Sequence, residues 1–195
     1  RGPSAINWSI IQGSKETGLT IFYPNNFLDQ GDIIIQKKVQ ILRDNTLGDV
    51  YFSKIFPLGV NACVEAVDLI GSDNAPRIIQ DEKKVSYESW CKKPESKIDW
   101  NKSGEEIYNL IRGCNPQPGA WANIKSNEYS FYDTSFELNK NSKFLSGQII
   151  LINKNEIVIS VIGGILKVSR IKSKQGKLHI KEMNTEVFKV GDIFI

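Results

Sequence analysis

Cysteine is scarce in this chain of 195 residues: Cys63, Cys91 and Cys114 are odd in number, widely spaced and without a CxxC pair. With His179 as the sole imidazole, that pattern argues against a zinc site and a disulfide framework, and it fits a reducing cytoplasm. Long apolar runs are missing too. Stretches such as residues 149–152 fall far short of the roughly twenty consecutive apolar residues that a membrane-spanning helix needs. There is no secretory signal, so neither a membrane partner nor export is expected. No strong excess of charge stands out: a formal net charge of +3 and a pI near 8.7 permit contact with RNA or a phosphorylated substrate without demanding it. Internal repeats and low-complexity tracts are absent. What is present is an ordinary globular composition, 41% hydrophobic, sufficient for a real core.

The chain opens at Arg1-Gly2-Pro3 without a methionine, and its first element already reads as the middle of a fold, so a segment upstream is expected. Ser4 is placed to N-cap a short helix whose Ile6, Ile10 and Ile11 form one apolar stripe, and Gly13 to end it. Residues 19–23 and 32–42 are β-prone runs joined by a loop. Thr46 then caps a long helical stretch toward Ile70. Val60, Cys63, Val67 and Ile70 recur along its expected core-facing side, and Pro57 is placed to kink or divide it. Residues 71–97 lose periodicity and gather charges, Pro76 and Pro94, as expected of a surface linker, with Tyr87 and Trp90 expected to pin it. Ser103 and Glu106 make a capping box before a helix through Ile107, Leu110 and Ile111 that stops at Gly113. Beyond Pro118 the pattern turns to short strands at 129–136, 147–152, 156–161, 165–171 and 192–195, which together suggest a small barrel.

The loop at 24–32 presents two carboxylates, Asp29 and Asp32, on either side of Gly31. On pattern alone such aspartates serve a turn as readily as chemistry. The segments Arg1-Gly2-Pro3-Ser4-Ala5-Ile6-Asn7-Trp8, Lys15-Glu16-Thr17-Gly18, Leu28-Asp29-Gln30-Gly31-Asp32-Ile33, Lys97-Ile98-Asp99-Trp100 and Ile111-Arg112-Gly113 resemble, in that order, the formyltransferase family. Its members formylate methionyl-tRNA or amino sugars, or hydrolyse 10-formyltetrahydrofolate. The resemblance implies an α/β fold in which residues 1–72 form the C-terminal part of a Rossmann-like formyltransferase domain. A linker at 73–97 and a small OB-like β-barrel domain at 98–195 would follow.

The same resemblance implies 10-formyltetrahydrofolate as formyl donor and a catalytic Asn, His and Asp, the aspartate lying in the Leu-Asp-x-Gly-Asp segment. Asp29 matches it. The chemistry asks for such a group, because an attacking amine or water loses a proton as it adds to the formyl carbon and the new oxyanion needs hydrogen-bond donors. The family's His-Pro-Ser motif and Asn lie shortly before the Arg-Gly at which this chain opens, so the chain alone is expected to be inactive. Phe27 also stands where the family commonly has a glycine. His179 sits among Lys177, Leu178, Ile180 and Lys181 and reads as a strand or surface residue.

The acceptor stays open. Phe56-Pro57-Leu58-Gly59-Val60, Ala75-Pro76-Arg77 and Tyr87-Glu88 look more like the hydrolase branch of the family, whereas Asn115-Pro116-Gln117-Pro118-Gly119-Ala120-Trp121 is similar across several branches. Residues 139–181 carry nine basic side chains (Lys140, Lys143, Lys154, Lys167, Arg170, Lys172, Lys174, Lys177, Lys181) against one acid, Glu156. Lys167, Arg170, Lys172 and Lys174 are the candidates for contact with RNA phosphates. Lysines equally guard strand edges, and no aromatic side chain is interleaved among them. Trp8, Trp100 and Trp121 read as fillers of core space, and Arg112 as a partner of its helix's C-terminal dipole. Two classes of function follow: formyl transfer to an amine, with water or an amino sugar as alternative acceptors, and a non-catalytic module that binds RNA or protein.

Overall fold

The computed structural model describes residues 1–139, 143–174, 176–182 and 187–195, with the side chains of Lys177 and Leu178 left aside. Lys140 and the Lys177 side chain, counted in the basic set above, therefore lie outside the described residues. The first helix, α1 (Ala5–Ile11), buries Ile10 completely. Ser4 precedes it but makes no side-chain cap. Its hydroxyl instead accepts the Cys91 N–H at 3.0 Å, so a residue expected to start a helix tethers a distant segment.

Strands β1 (Glu16–Phe22) and β2 (Ile33–Gln40) pair antiparallel, from Glu16 opposite Gln40 to Phe22 opposite Ile33. They form a two-stranded ribbon, and every ladder between named strands in the molecule is antiparallel. Residues 1–72 thus contribute an antiparallel ribbon and its helices to the α/β fold.

Helix α2 (Leu47–Val50) opens with a reciprocal Thr46–Asp49 capping box. A π-helical turn over Tyr51–Ile55 leads without a break into α3 (Phe56–Gly71). Pro57 is the second residue of α3, so its missing N–H falls where the π-helical turn gives way to α-helix, and it neither ends nor divides the helical stretch. The buried face of α3 is the reverse of the expected one. Ala62 and Ala66 are buried, whereas Val60, Val67 and Ile70 are about half or more exposed and Cys63 is exposed. Small side chains let the helix approach the ribbon closely: Ala62 and Ala66 share a cluster with Ile34 and Ile35 of β2. By length and composition the Leu47–Gly71 stretch is also apolar enough to cross a membrane, although Lys37 of β2 reaches over to pair with Glu65 on it.

Helix α4 (Gly104–Gly113) carries the expected Ser103–Glu106 capping box and buries Ile107, Tyr108 and Ile111. Trp8 and Ile11 of α1 pack against the cluster these residues share with the large sheet. That sheet runs β3 (Ala120–Ile124), β4 (Asn127–Leu138), β7 (Gly164–Ser173), β6 (Ile157–Val161) and β5 (Ile149–Ile152), with β8 (Gly176–His179) also on β7. It is open, which corrects the expected OB-like barrel: β6 and β8 share one edge of β7, pairing with its first and last residues respectively. Among the described residues the two ends of the sheet are bridged by the C-terminal segment. Asn123 and Ile195 exchange backbone hydrogen bonds at 2.8 and 2.9 Å, and Phe194 donates to Gly147 at 3.0 Å. The core is dense: Phe131, Ile149, Ile157, Ile159 and Leu166 are fully buried, and Trp100 stacks on Phe194.

Candidate active site

Asp29 sits in the loop that leaves β1 and returns as β2. The loop is closed at its base by the Tyr23 N–H donating to the Asp32 carbonyl at 2.9 Å. Gly31 is obligatory there, since a Cβ would lie 1.6 Å from the Tyr23 oxygen. Asp29 itself adopts a left-handed φ of 55°, which Asp tolerates better than most residues. Its Oδ2 accepts the Gly2 N–H at 3.3 Å, while Oδ1 has no hydrogen-bond partner among the described residues. Phe27 and Leu28 beside it are more than 60% exposed. The loop therefore offers a carboxylate with one free oxygen next to an apolar tip.

What holds the loop comes from far along the chain. Gln80 Nε2 donates to the carbonyls of Asp29 (3.0 Å) and Gly31 (2.7 Å), and its Oε1 accepts from the Arg1 guanidinium at 2.9 Å. Tyr87 Oη accepts from Arg1 (2.6 Å) and Gln30 (3.0 Å) and lies 3.2 Å from the Leu28 carbonyl, to which it donates. Arg1 also pairs with Glu82 at 2.7 Å, which raises the guanidinium pKa further and holds the Glu82 carboxyl below its ordinary range. Arg77 lies over the Tyr23 ring at 3.8 Å and faces Asp32 at 3.6 Å. The segment expected to be a pinned surface linker also acts as a strap that holds the Asp29 loop. Tyr87, as expected, is one of its anchors. Trp90 is 60% exposed, and the further anchors are Trp8 and Trp121, whose indole N–H groups donate to Ser89 (2.8 Å) and Lys93 (2.7 Å) carbonyls.

Gly2 links Asp29 to a cleft of about 430 Å³ lined by Gly2 to Asn7, Leu47, Gly48, Tyr51, Phe52, Pro116 and Gln117. Both Asn115–Pro116 and Gln117–Pro118 are cis. Gly119 follows at φ 91°, and any Cβ there would lie 2.3 Å from the Tyr132 hydroxyl. Pro116 and Gln117 of this run face the largely apolar cleft together with the start of α1 and with Leu47, Gly48, Tyr51 and Phe52.

The four basic candidates separate into two kinds. Lys167 pairs with Glu137, and Arg170 with Asp133 at 2.8 Å. Lys172 and Lys174 have no ion-pair partner among the described residues and line a groove of about 460 Å³ with Lys93, Gly119, Trp121, Glu128 and Ser130. Trp121, expected to be a filler, is only half-buried there, with Lys93 and Lys97 ammonium groups 5.2 and 5.7 Å from its ring. An aromatic face does therefore accompany the basic side chains, supplied by β3 rather than by their own segment. His179 ends β8, opposite Arg170, and its backbone N–H donates to Glu182. Arg112 does more than face a dipole: it is buried, and it donates to Asn109 Oδ1 (2.9 Å) and the Asn45 carbonyl (3.1 Å). It ties α4 to the start of α2, and burial lowers its pKa. Among the described residues no group of three or more His, Cys, Asp or Glu is placed to hold a metal.

The "Formyl transferase" family profile matches residues 1–67, and its "Formyl transferase, C-terminal domain" profile matches residues 91–187. The chain belongs to the formyltransferase family. It is 42% identical over 139 residues to the cytosolic 10-formyltetrahydrofolate dehydrogenase of Xenopus laevis, covering 71% of this chain and 15% of that protein. It is 35% identical over 175 residues to the methionyl-tRNA formyltransferase of Flavobacterium psychrophilum, covering 86% of this chain and 54% of that one. This formyltransferase chain thus spans at most about half the length of these relatives. Among solved structures it resembles HypX from Aquifex aeolicus in complex with tetrahydrofolic acid, with a TM-score of 0.77 at 16% identity over 97% of this chain and 34% of that one. It also resembles the Helicobacter canadensis N-formyltransferase in complex with folinic acid and dTDP-3-aminofucose, with a TM-score of 0.67 at 20% identity over 91% of this chain and 62% of that one. At these identities the structural likeness speaks for the fold.

Proposed function

We propose that the full-length protein carrying this chain transfers the formyl group of 10-formyltetrahydrofolate to an amine acceptor, methionyl-tRNA in the first instance, with Asp29 as its catalytic carboxylate. The observation that carries this reading is the built support of Asp29. Gly2, Gln80, Tyr87 and Arg1 fix a loop whose aspartate keeps one oxygen free beside an apolar cleft. A carboxylate so held can orient an imidazole and take the proton that the attacking amine releases. His179, the one histidine of the sequence, ends β8 opposite Arg170, so Asp29 is the single catalytic residue that this reading names. The domain plan proposed with this reading is a catalytic part over 1–72, the strap over 73–97 and a β-rich domain over 98–195.

The test is consumption of 10-formyltetrahydrofolate by the full-length protein with and without methionyl-tRNA. Turnover that requires tRNA supports a transferase. Turnover without it points to water as acceptor, the activity of a hydrolase. In either case Asp29→Asn should lower kcat by about 100-fold or more, in the range that general acid–base groups supply, with little change in the unfolding midpoint. An unchanged kcat sinks the role of Asp29.

The groove at Trp121 favours a second, compatible reading in which Lys172 and Lys174 contact RNA phosphates while Trp121 stacks on a base. Lys172→Glu with Lys174→Glu should weaken RNA binding and reduce its log–log salt slope by about 2. Lys167→Glu, whose lysine is already paired, should change the slope less. Equal effects from both would remove the distinction.

A further inference from the structure

Cys91 and Cys114 lie far apart in the sequence, yet their sulfurs are 3.8 Å apart in the core. Both thiols are free. A disulfide bond measures about 2.05 Å between sulfurs, so the pair needs to close by less than about 2 Å. The two positions are unequal. Cys114 follows α4 as its C-cap and is completely buried, whereas Cys91, on the strap, keeps 8% of its surface accessible. Hydrogen bonding from Cys114 lowers the Cys91 pKa, and the same contact together with burial raises that of Cys114. The backbone at Cys91 is itself fixed by Ser4 Oγ at 3.0 Å, and Cys114 N–H donates to Leu110 at 3.0 Å. Both sulfurs therefore hang from anchored backbone and face each other across the join between strap and α4.

We propose that Cys91 and Cys114 form a redox-active dithiol that low-molecular-weight disulfides oxidise to an intramolecular cross-link. In the first step the Cys91 thiolate attacks one sulfur of the small disulfide, the S–S bond breaks, and one small thiolate leaves. In the second, Cys114 loses its proton and attacks the Cys91 sulfur, expelling the second small thiolate. The protein's two thiols are oxidised to one disulfide, the small disulfide is reduced to two thiols, and the two protons end on the leaving groups. The strap that carries Cys91 also carries Gln80 and Tyr87, which hold the Asp29 loop, so the cross-link would fasten that strap to α4. The proposal does not depend on the formyl-transfer reading.

The experiment equilibrates the folded protein with graded ratios of oxidised to reduced glutathione, alkylates the remaining thiols and maps peptides by mass. The expected result is a joined Cys91–Cys114 peptide lacking two hydrogens, reversible by dithiothreitol. The unfolding temperature should rise by about 5–10 °C, as closing a loop of this size implies. Cys63→Ser should behave like the parent protein. In Cys114→Ala, Cys91 should stop at the mixed disulfide with glutathione, and in Cys91→Ala, Cys114 should stay unmodified. Circular dichroism establishes that each variant is folded before it is scored. Cys91 and Cys114 fully alkylated at every ratio, or joined only in denaturant, would overturn the proposal, and so would glutathione on Cys114 but never on Cys91.

Discussion

Gln80 holds two loop carbonyls with one amide nitrogen, and Tyr87 uses one hydroxyl to engage Arg1, Gln30 and Leu28. Both are polar residues of an aperiodic, charged segment, and nothing in their spacing marks them. The sequence could point to Asp29, because a glycine between two aspartates signals a turn and the surrounding motif carries the resemblance. It also singled out Tyr87 as an anchor of its own segment, but not Gln80 nor the loop partners of either residue, since those are defined by hydrogen bonds that span 49 to 59 residues. Tyr87→Phe should leave the global unfolding midpoint nearly unchanged while increasing amide hydrogen exchange across residues 28–30. Equal exchange in both proteins would mean that the hydroxyl is dispensable to the loop. Gly31→Ala should cost about 1–3 kcal/mol, the range for forcing atoms into a filled space, because the new methyl meets a backbone oxygen that cannot swing aside. Urea denaturation measures it.

Among the elements, those with local signals were legible. The cap at Thr46 and the capping box at Ser103 formed as read, because each needs only residues three positions apart. The burial side of α3 was not legible, since large apolar residues occupy one side and alanines the other, and which side is covered depends on what packs there. Strands β3 and β8 escaped because they are short and carry few of the β-branched residues that mark a strand. The C-terminal segment was read as a strand, but it pairs by isolated bonds and is clasped by Lys125 to Asp192 at 2.6 Å. That hydrogen bond holds the Asp192 carboxyl below its ordinary 3.8. The clasp therefore contributes fully above pH ~4, the unfolded carboxylate range, and is lost as pH falls through the lower folded value. Acid titration followed by tryptophan fluorescence, sensitive to Trp100 against Phe194, should show a transition in this range that Asp192→Asn shifts or removes. An identical acid limb in the variant would count against the clasp.

Across the whole molecule, one helix face is unlike the rest of the surface. Phe52, Phe56, Val60, Val64, Val67 and Ile70 run along the same side of Leu47–Gly71, each about half or more exposed. A contiguous apolar patch of this kind marks a contact surface or a tendency to associate. Val60→Lys with Val67→Lys should reduce self-association in sedimentation at raised concentration and leave the circular dichroism intact. Loss of fold instead would mean the face is already covered. The strap has a further consequence, for the order of events on the ribosome. Arg1 and Gly2 are made before residues 80–88, the partners that position them and the Asp29 loop. The ribbon and α3 can assemble as a local unit during synthesis, with the aspartate in place but unheld. The clamp closes only after the strap has left the exit tunnel, so a chain that has emerged as far as about residue 75 would already have its ribbon and α3 and still lack the supports of the Asp29 loop.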